Sequence, residues 1–375
     1  DMGHRHDPLV SRGEARGVLP AAHLGPAVAR HLGDRGDAGL AQPSERSQCP
    51  GPRLPERRTD LSARVPCQHR TDLRAADSEI DWDALAEWHD FCADKGLHYD
   101  RDHRNSESLG QRLRAICAAG RASPWHDGAK WSVVIDRPAD TAVDHISPRN
   151  SRNLTGTRTY VDTPDAVRVR FRDRTNDYEE GEILVPWPGK SAPCDLVEQW
   201  EAPGKTDPDE IATEIYRQMQ VVELRRDRWT VEQSDEIRTV TRGDTVRLSH
   251  DVLSELQTSG RVVSVDGDVV ILDETVTMEA GRSYAIRFLD VDESDTVGQS
   301  VLTAVQTAPG ETRTLRVTGA RVPDVGALVL FGVVGEESEA ALVLDVEAGE
   351  DFTSVLTLTN AAPEIDTLTD AYAPA

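Results

Sequence analysis

The sequence predicts an α+β protein, mostly antiparallel β, in which a helical hairpin is followed by an α+β domain and a small β-barrel or sandwich domain. Three observations carry this. Apolar residues recur at helical spacing in two stretches between Trp82 and Gly120. After Arg228, short alternating apolar runs return roughly every 8–12 residues, separated by Gly, Asp and Pro, which is the rhythm of a barrel or sandwich. The composition also changes abruptly near Asp77, and the segment before it is expected to be disordered.

That segment has no Phe, Trp or Tyr, since the first aromatic is Trp82. It has no lysine and no isoleucine, yet residues 1–77 hold 12 of the 42 basic residues, 5 of the 11 histidines and 8 of the 21 prolines. Such a stretch cannot bury enough apolar surface to offset its ordering entropy. Two readings stay open: an out-of-frame translation of a GC-rich gene, or a natural flexible arm. A clean single reading frame through position 77 in the source DNA excludes the first.

From Asp77 onward each element has its own signals. Asp81 is placed to cap a helix over Trp82–Lys95, stopped by Gly96, with Leu85, Trp88 and Cys92 on its buried stripe. A second helix is expected after Ser106, with Glu107 in its first turn and Gly120 at its end. It should put Leu109, Leu113, Ile116 and Cys117 on one face. Strands follow at Trp131–Ile135, Val167–Phe171 and Ile183–Trp187. A long helix is expected from Asp207 to Arg228, with Pro208 in its first turn, acids at its positive end and arginines at its negative end.

The remaining candidate strands are Glu236–Thr241, Thr245–Ser249, Arg261–Val265, Val269–Leu272, Tyr284–Leu289, Ser300–Val305, Thr312–Val317, Ala327–Val334, Ala341–Val346 and Thr353–Thr359. Asp266-Gly267 reads as a type I′ hairpin turn. The expected organisation is a disordered or out-of-frame segment over 1–76, a helical hairpin region over 77–130 and an α+β domain over 131–242. A β-barrel-like domain over 243–345 comes next, and then 346–375, a returning strand and the start of a linker.

Charge narrows the partners. The formal net charge is −24, and residues 78–375 alone carry 30 basic and 56 acidic side chains. A body that acidic repels phosphates and anionic lipid, so neither nucleic acid nor membrane insertion is expected. No run of about 18 apolar residues offers a span. The N-terminus has no apolar signal-peptide core, so Sec export is not expected. Five cysteines (Cys49, Cys67, Cys92, Cys117, Cys194) form no CxxC pair and no zinc spacing, which fits a reducing compartment.

Several clusters invite a chemical reading, and none is complete. His89-Asp90 and His126-Asp127 are adjacent pairs, and adjacency alone aligns no dyad on a helix. No GxSxG elbow or suitably placed cysteine supplies a nucleophile. Read as a calcium loop from Asp290, the run Asp290, Asp292, Ser294, Asp295 lacks Gly at the sixth position and holds Val301 where Glu is needed at the twelfth. Glu179, Glu180 and Glu182 offer paired carboxylates without a cleft signature. His4, His6, His23 and His31 lie in the doubtful segment. Asn153-Leu154-Thr155 is a sequon by pattern only, and Trp187 between two prolines reads as a packed corner. No phosphate loop or dinucleotide fingerprint occurs. The expectation is therefore no catalytic residue, no cofactor and no metal, hence no enzyme.

Four places share a likeness beyond composition. They are DSEIDWDALAEWHDFCADKGLHYD (Asp77–Asp100) with the later strand WSVVIDRP, the helix DEIATEIYRQMQ (Asp209–Gln220), GDTVRLSHD with SGRVVSVDGDVVILDETVTM (Gly243–Asp251, Ser259–Met278), and ALVLDVEAGEDFTSVLTLTNAAPEIDTLTD (Ala341–Asp370). In this order they resemble the host-specificity or tip attachment J-type proteins of tailed bacteriophages, the central tail hub proteins, over residues 77–375. The resemblance implies a hub-type scaffold at the virion tail tip, assembled in the bacterial host cytoplasm. It also implies a homotrimer docked on other tail tip, tail tube and baseplate proteins. The host receptor would be met by C-terminal modules expected beyond Ala375. The segment before Asp77 does not look like the family's N-terminal domain, which agrees with the out-of-frame reading. A second reading stays open, a carbohydrate-active tail protein such as a cell-wall glycoside hydrolase or glycan-binding module, which needs two carboxylates about 5–10 Å apart in a cleft. A third, a surface adhesin module, would need an export signal.

Overall fold

The computed structural model describes residues 75–103, 107–139, 141–191, 193–234, 240–250, 257–290, 298–350 and 353–374. Most of the expected disordered segment and of the expected strand Glu236–Thr241 lies outside these residues. Within them the architecture is α+β and mostly antiparallel.

The chain opens with helices α1 (Trp82–Lys95) and α2 (Leu109–Ala119). Asp81 caps α1 by accepting from the Ala84 amide at 3.2 Å. Gly96 ends it in the left-handed region at φ 65°, where an L side chain would be strained. The cap of α2 is Ser108, in a reciprocal box with Gln111, so the helix starts later than expected and Leu109 is largely exposed. Both helices pack on a two-stranded sheet, β1 (Ala122–His126) and β2 (Trp131–Ile135), around Trp88, Cys92, Leu97 and Cys117. Gly120 is needed at their crossing. The Trp88 indole donates to its carbonyl at 2.8 Å, and a Cβ there would meet that ring at 2.7 Å.

A six-stranded sheet is built from β3 (Asp144–Ile146), β4 (Ser151–Arg158), β8 (Asp227–Ser234), β9 (Thr245–Leu248), β16 (Glu339–Ala348) and β17 (Thr353–Asn360). Its order is β3-β9-β16-β17-β8-β4, antiparallel except for β3 beside β9. Between β4 and β8 the chain forms a three-stranded sheet, β5 (Ala166–Asp173), β6 (Glu179–Pro186) and β7 (Val197–Trp200), in the order β6-β5-β7. Helix α3 (Pro208–Leu224) lays Ile211, Ile215 and Met219 onto Val167, Val169, Val185 and Trp187 of that sheet. Its cap, Asp207, accepts from the amides of Asp209 and Glu210. The helix stops short of the expected Arg228. Arg225 has left helical geometry, and from Asp227 the alternation of Trp229, Val231 and Gln233 into the interior makes β8.

The second six-stranded sheet comprises β10 (Thr258–Asp266), β11 (Val269–Met278), β12 (Tyr284–Asp290), β13 (Gln299–Val305), β14 (Gly310–Arg316) and β15 (Leu328–Val333). In the order β13-β12-β15-β10-β11-β14 it curls until its outer strands touch at one end. There Val305 bridges Val317, with Gln306 donating to the Arg316 carbonyl at 2.8 Å and Thr318 to that of Ala304 at 2.9 Å. Its interior holds Val270, Leu272, Ile286, Phe288, Leu315, Val329 and Phe331, all buried. Burial of one such side chain is worth about 1.5–3 kcal/mol.

The β10–β11 turn differs from expectation. Asp266 pairs with Val269, so the loop is Gly267-Asp268, and of the two only Gly267 has positive φ, at 61°. That is the pattern of a II′ turn rather than I′. Past β17, where a linker was expected to start, the chain folds back as α4 (Glu364–Asp370) against α3.

Candidate functional site

The strongest concentration of chemistry is a buried seam of charge that sequence reading did not single out. Asp136 follows β2, and it accepts from both terminal nitrogens of Arg225, at 3.0 and 2.8 Å, and from Arg217 at 3.0 Å. Arg217 lies mid-helix in α3, 1% exposed, and its Nε faces Asp366 of α4 at 3.5 Å. Arg121, at φ 51° between α2 and β1, gives Nη2 to Glu214 at 2.7 Å and Nη1 to Asp366 at 3.3 Å. Three guanidinium groups thus meet three carboxylates. Burial by itself raises the Asp136 carboxyl, but Arg217 and Arg225 outweigh it and hold it at about 2. Removing one member of such a set leaves a buried charge uncompensated.

Beside the seam Lys205, itself buried, donates to the Ala119 carbonyl at 2.7 Å and pairs with Glu210. Glu210 also accepts from the His98 amide at 2.8 Å. Lys95 meets Asp370 at 2.8 Å, and Tyr216 stacks on Tyr372 with centroids 4.2 Å apart. The C-terminal helix is therefore pinned by charge and by ring packing to both α1 and α3.

A cavity of about 90 Å³ opens next to the seam, lined by arginines from three elements: Arg137, Arg225 and Arg247. Arg137 pairs outward with Glu87, and Arg225 is engaged with Asp136. Among the described residues the side chain of Arg247, on β9, has no hydrogen bond and no ion pair, and its Nε is buried.

A second polar junction joins the curled sheet to β3. His145 is 1% exposed, and its Nε2 lies 2.8 Å from the Ser300 hydroxyl, which also accepts from Arg287 at 3.2 Å. Arg287 in turn donates to the buried Glu337 at 2.8 Å. A serine beside a histidine suggests a nucleophile and its base. However, burial, then Arg287 and Arg247, hold the imidazole down at about 3, too weak a base to activate a hydroxyl near neutrality. Its Nδ1 is buried without a partner, so no acid orients the ring. The neighbouring Asp144 carboxylate accepts instead from the His145 amide and from Gln233. The pair reads as a joint between two sheets.

No family model matches this chain, and no curated protein matches it. Several solved structures are similar in part, among them the following two. One is a chain from the virion of a native gene transfer agent particle, with 12% identity, a TM-score of 0.37 and coverage of 72% of this chain. The match spans only 42% of that longer chain. The other is a tail protein from Neisseria meningitidis MC58, with 8% identity, a TM-score of 0.33 and coverage of 74% of this chain and 66% of that one.

The residues that invited a chemical reading are dispersed. His89 Nδ1 does bond the adjacent Asp90 at 3.1 Å, which the spacing argument did not anticipate, but on an open helix face. His126 accepts from the Gly128 amide and packs edge-on to Trp131, while Asp127 caps the same turn through the Ala129 and Lys130 amides. Glu180 and Glu182 lie on β6 in exposed pairs with Arg172, Arg170 and Arg168, and Glu179 is exposed at the strand's start. Asp290 pairs with Arg321 at 2.6 Å. Asp292, Ser294 and Asp295 lie outside the described residues, as do His4, His6, His23, His31, Cys49 and Cys67. Asn153 sits on β4 and donates to Glu232. Trp187 is buried, with its indole on Glu223 and its ring edge-on to Trp200. Cys92 and Cys117 are buried, their thiols pushed up to about 12 by desolvation. Among the described residues no group of three or more His, Cys, Asp or Glu could hold a metal ion. No described helix is long and apolar enough to cross a membrane.

Proposed function

We propose that this chain is a non-enzymatic structural component of a phage or prophage tail tip, a central hub acting in host attachment and tail assembly. The observation that carries the reading is the ordered set of four sequence segments between Asp77 and Asp370 that resemble the tip attachment family. The physical features fit a scaffold. Charge seams and polar joints fasten separate elements to one another, and Asp136, Asp366, Glu214, Glu337 and His145 take part in those fastenings. Edge strands β4, β6 and β7 leave backbone groups available for pairing. Near them Tyr160 and Leu196 are 81% and 56% exposed. A ring around a threefold axis would cover such edges, and neighbouring tail tip and tube proteins would take the remaining faces.

Two experiments test it. Light scattering on the full chain is expected to return three times the chain mass, and a monomer at every concentration removes the ring. Immunogold labelling of particles induced from the parent phage or prophage is expected to mark one end of the tail. Particles that adsorb normally after deletion of the gene would overturn the hub.

A further inference from the structure

The cavity beside the charge seam has lining groups that neither the seam nor a hub role accounts for. Arg137, Arg225 and Arg247 line it together with Thr141, Thr245 and Pro363. The Nε atoms of both Arg225 and Arg247 are buried without an acceptor. Both belong to guanidinium groups that line the cavity, and a buried donor without an acceptor costs free energy. Arg247 is the least compensated. Burial, then the like charge of Arg287, make its guanidinium easier to deprotonate than usual, and Glu337 and Glu339 offset only part of this. A concave, cation-lined site is where an oxyanion gains most, because guanidinium forks match its planar geometry. The volume of about 90 Å³ admits a carboxylate with one or two carbons.

We propose that this cavity binds one carboxylate-sized oxyanion, held by Arg247 with Arg137 and Arg225. The carboxylate comes either from a free small acid or from an acidic side chain of a second copy of this strongly acidic chain. The site does not depend on the tail reading.

Acetate is the probe. The full chain is melted at pH 7 in acetate and in chloride of equal ionic strength, and its mass is measured by light scattering in both. Acetate is expected to raise the Tm by about 2–4 °C, the shift for a ligand near ten times its Kd. R247Q is expected to lose that rise, and R137Q, at the cavity rim, reports the same loss should R247Q fail to fold. An unchanged mass identifies a free anion as the occupant. A fall in mass on adding acetate identifies a second copy's side chain, displaced by the probe. No rise in the parent chain with its mass unchanged, or an equal rise in R247Q, overturns the site.

Discussion

Arg217 reaches Asp136 at 3.0 Å from a side chain almost sealed against solvent, and it does so across two elements far apart in the chain. The contact ties the end of β2 to the middle of α3, while the far side of the same guanidinium faces Asp366 on α4. Breaking it strands a charge in the interior. R217M is expected to lower unfolding free energy by about 3–5 kcal/mol in urea titrations. Combining it with D136N should cost less than the sum of the two single changes. Strict additivity would show that the two groups are not energetically coupled.

The same seam sets an acid limit. The folded-state value for Asp136 is about 2, below its ordinary 3.8. Its contribution is therefore complete above about pH 4 and is lost as pH falls through the folded value. That contribution is about 2 kcal/mol. D136N is expected to flatten the stability-against-pH curve between pH 4 and 2, which urea midpoints at each pH would record.

Much of the fold is legible in the sequence where one face of an element is buried. Trp88 and Cys92 mark the inner stripe of α1, and the short apolar run Val269–Leu272 marks β11. What is not legible is what depends on pairing across the chain. β4 reads Ser-Arg-Asn-Leu-Thr-Gly-Thr-Arg, polar almost throughout, and is a strand because β8 offers it a ladder. Arg217 looks like a solvated residue of a charged helix. Only the return of α4 and the end of β2 to α3 bury it. Charge seams are tertiary objects, and no local spacing announces them.

His145 gives a prediction with the opposite group type. Its folded value is about 3 against an ordinary 6.5. Below pH 6.5 the unfolded chain takes up a proton that the folded chain refuses, so stability falls as pH drops toward 3. The charged groups acting on its ring are Arg287 and Arg247. H145Q is expected to remove one proton's worth of slope, about 1.4 kcal/mol per pH unit, over that window. An identical slope in the variant would mean that the ring is protonated in the native state.

Cysteine labelling separates burial from reactivity. Cys92 and Cys117 are buried thiols with values near 12, so little thiolate exists at pH 8. Peptide-resolved alkylation of the native chain is expected to modify Cys194 before Cys92 and Cys117, and to leave those two unmodified until denaturant is added. Early labelling at Cys117 would show that the α1–α2 core opens below the global transition.

Two glycines distinguish crowding against a side chain from crowding against backbone. At Gly120 an added methyl would stand 2.7 Å from the Trp88 ring and 2.8 Å from the Cys92 sulfur. Its φ is −102°, so the conformation itself suits alanine. G120A should therefore cost only the repacking, about 1–3 kcal/mol, and C92A should recover part of that. At Gly332, in β15, the clash is with the Cα of Glu337 at 2.7 Å. Backbone cannot rotate away as a side chain can, and Glu337 also anchors Arg287. G332A is expected to cost more than G120A and to resist rescue by trimming any neighbouring side chain. Urea midpoints for the two variants, with and without C92A, decide it: equal losses, or rescue of G332A by C92A, would contradict the geometry of these two sites.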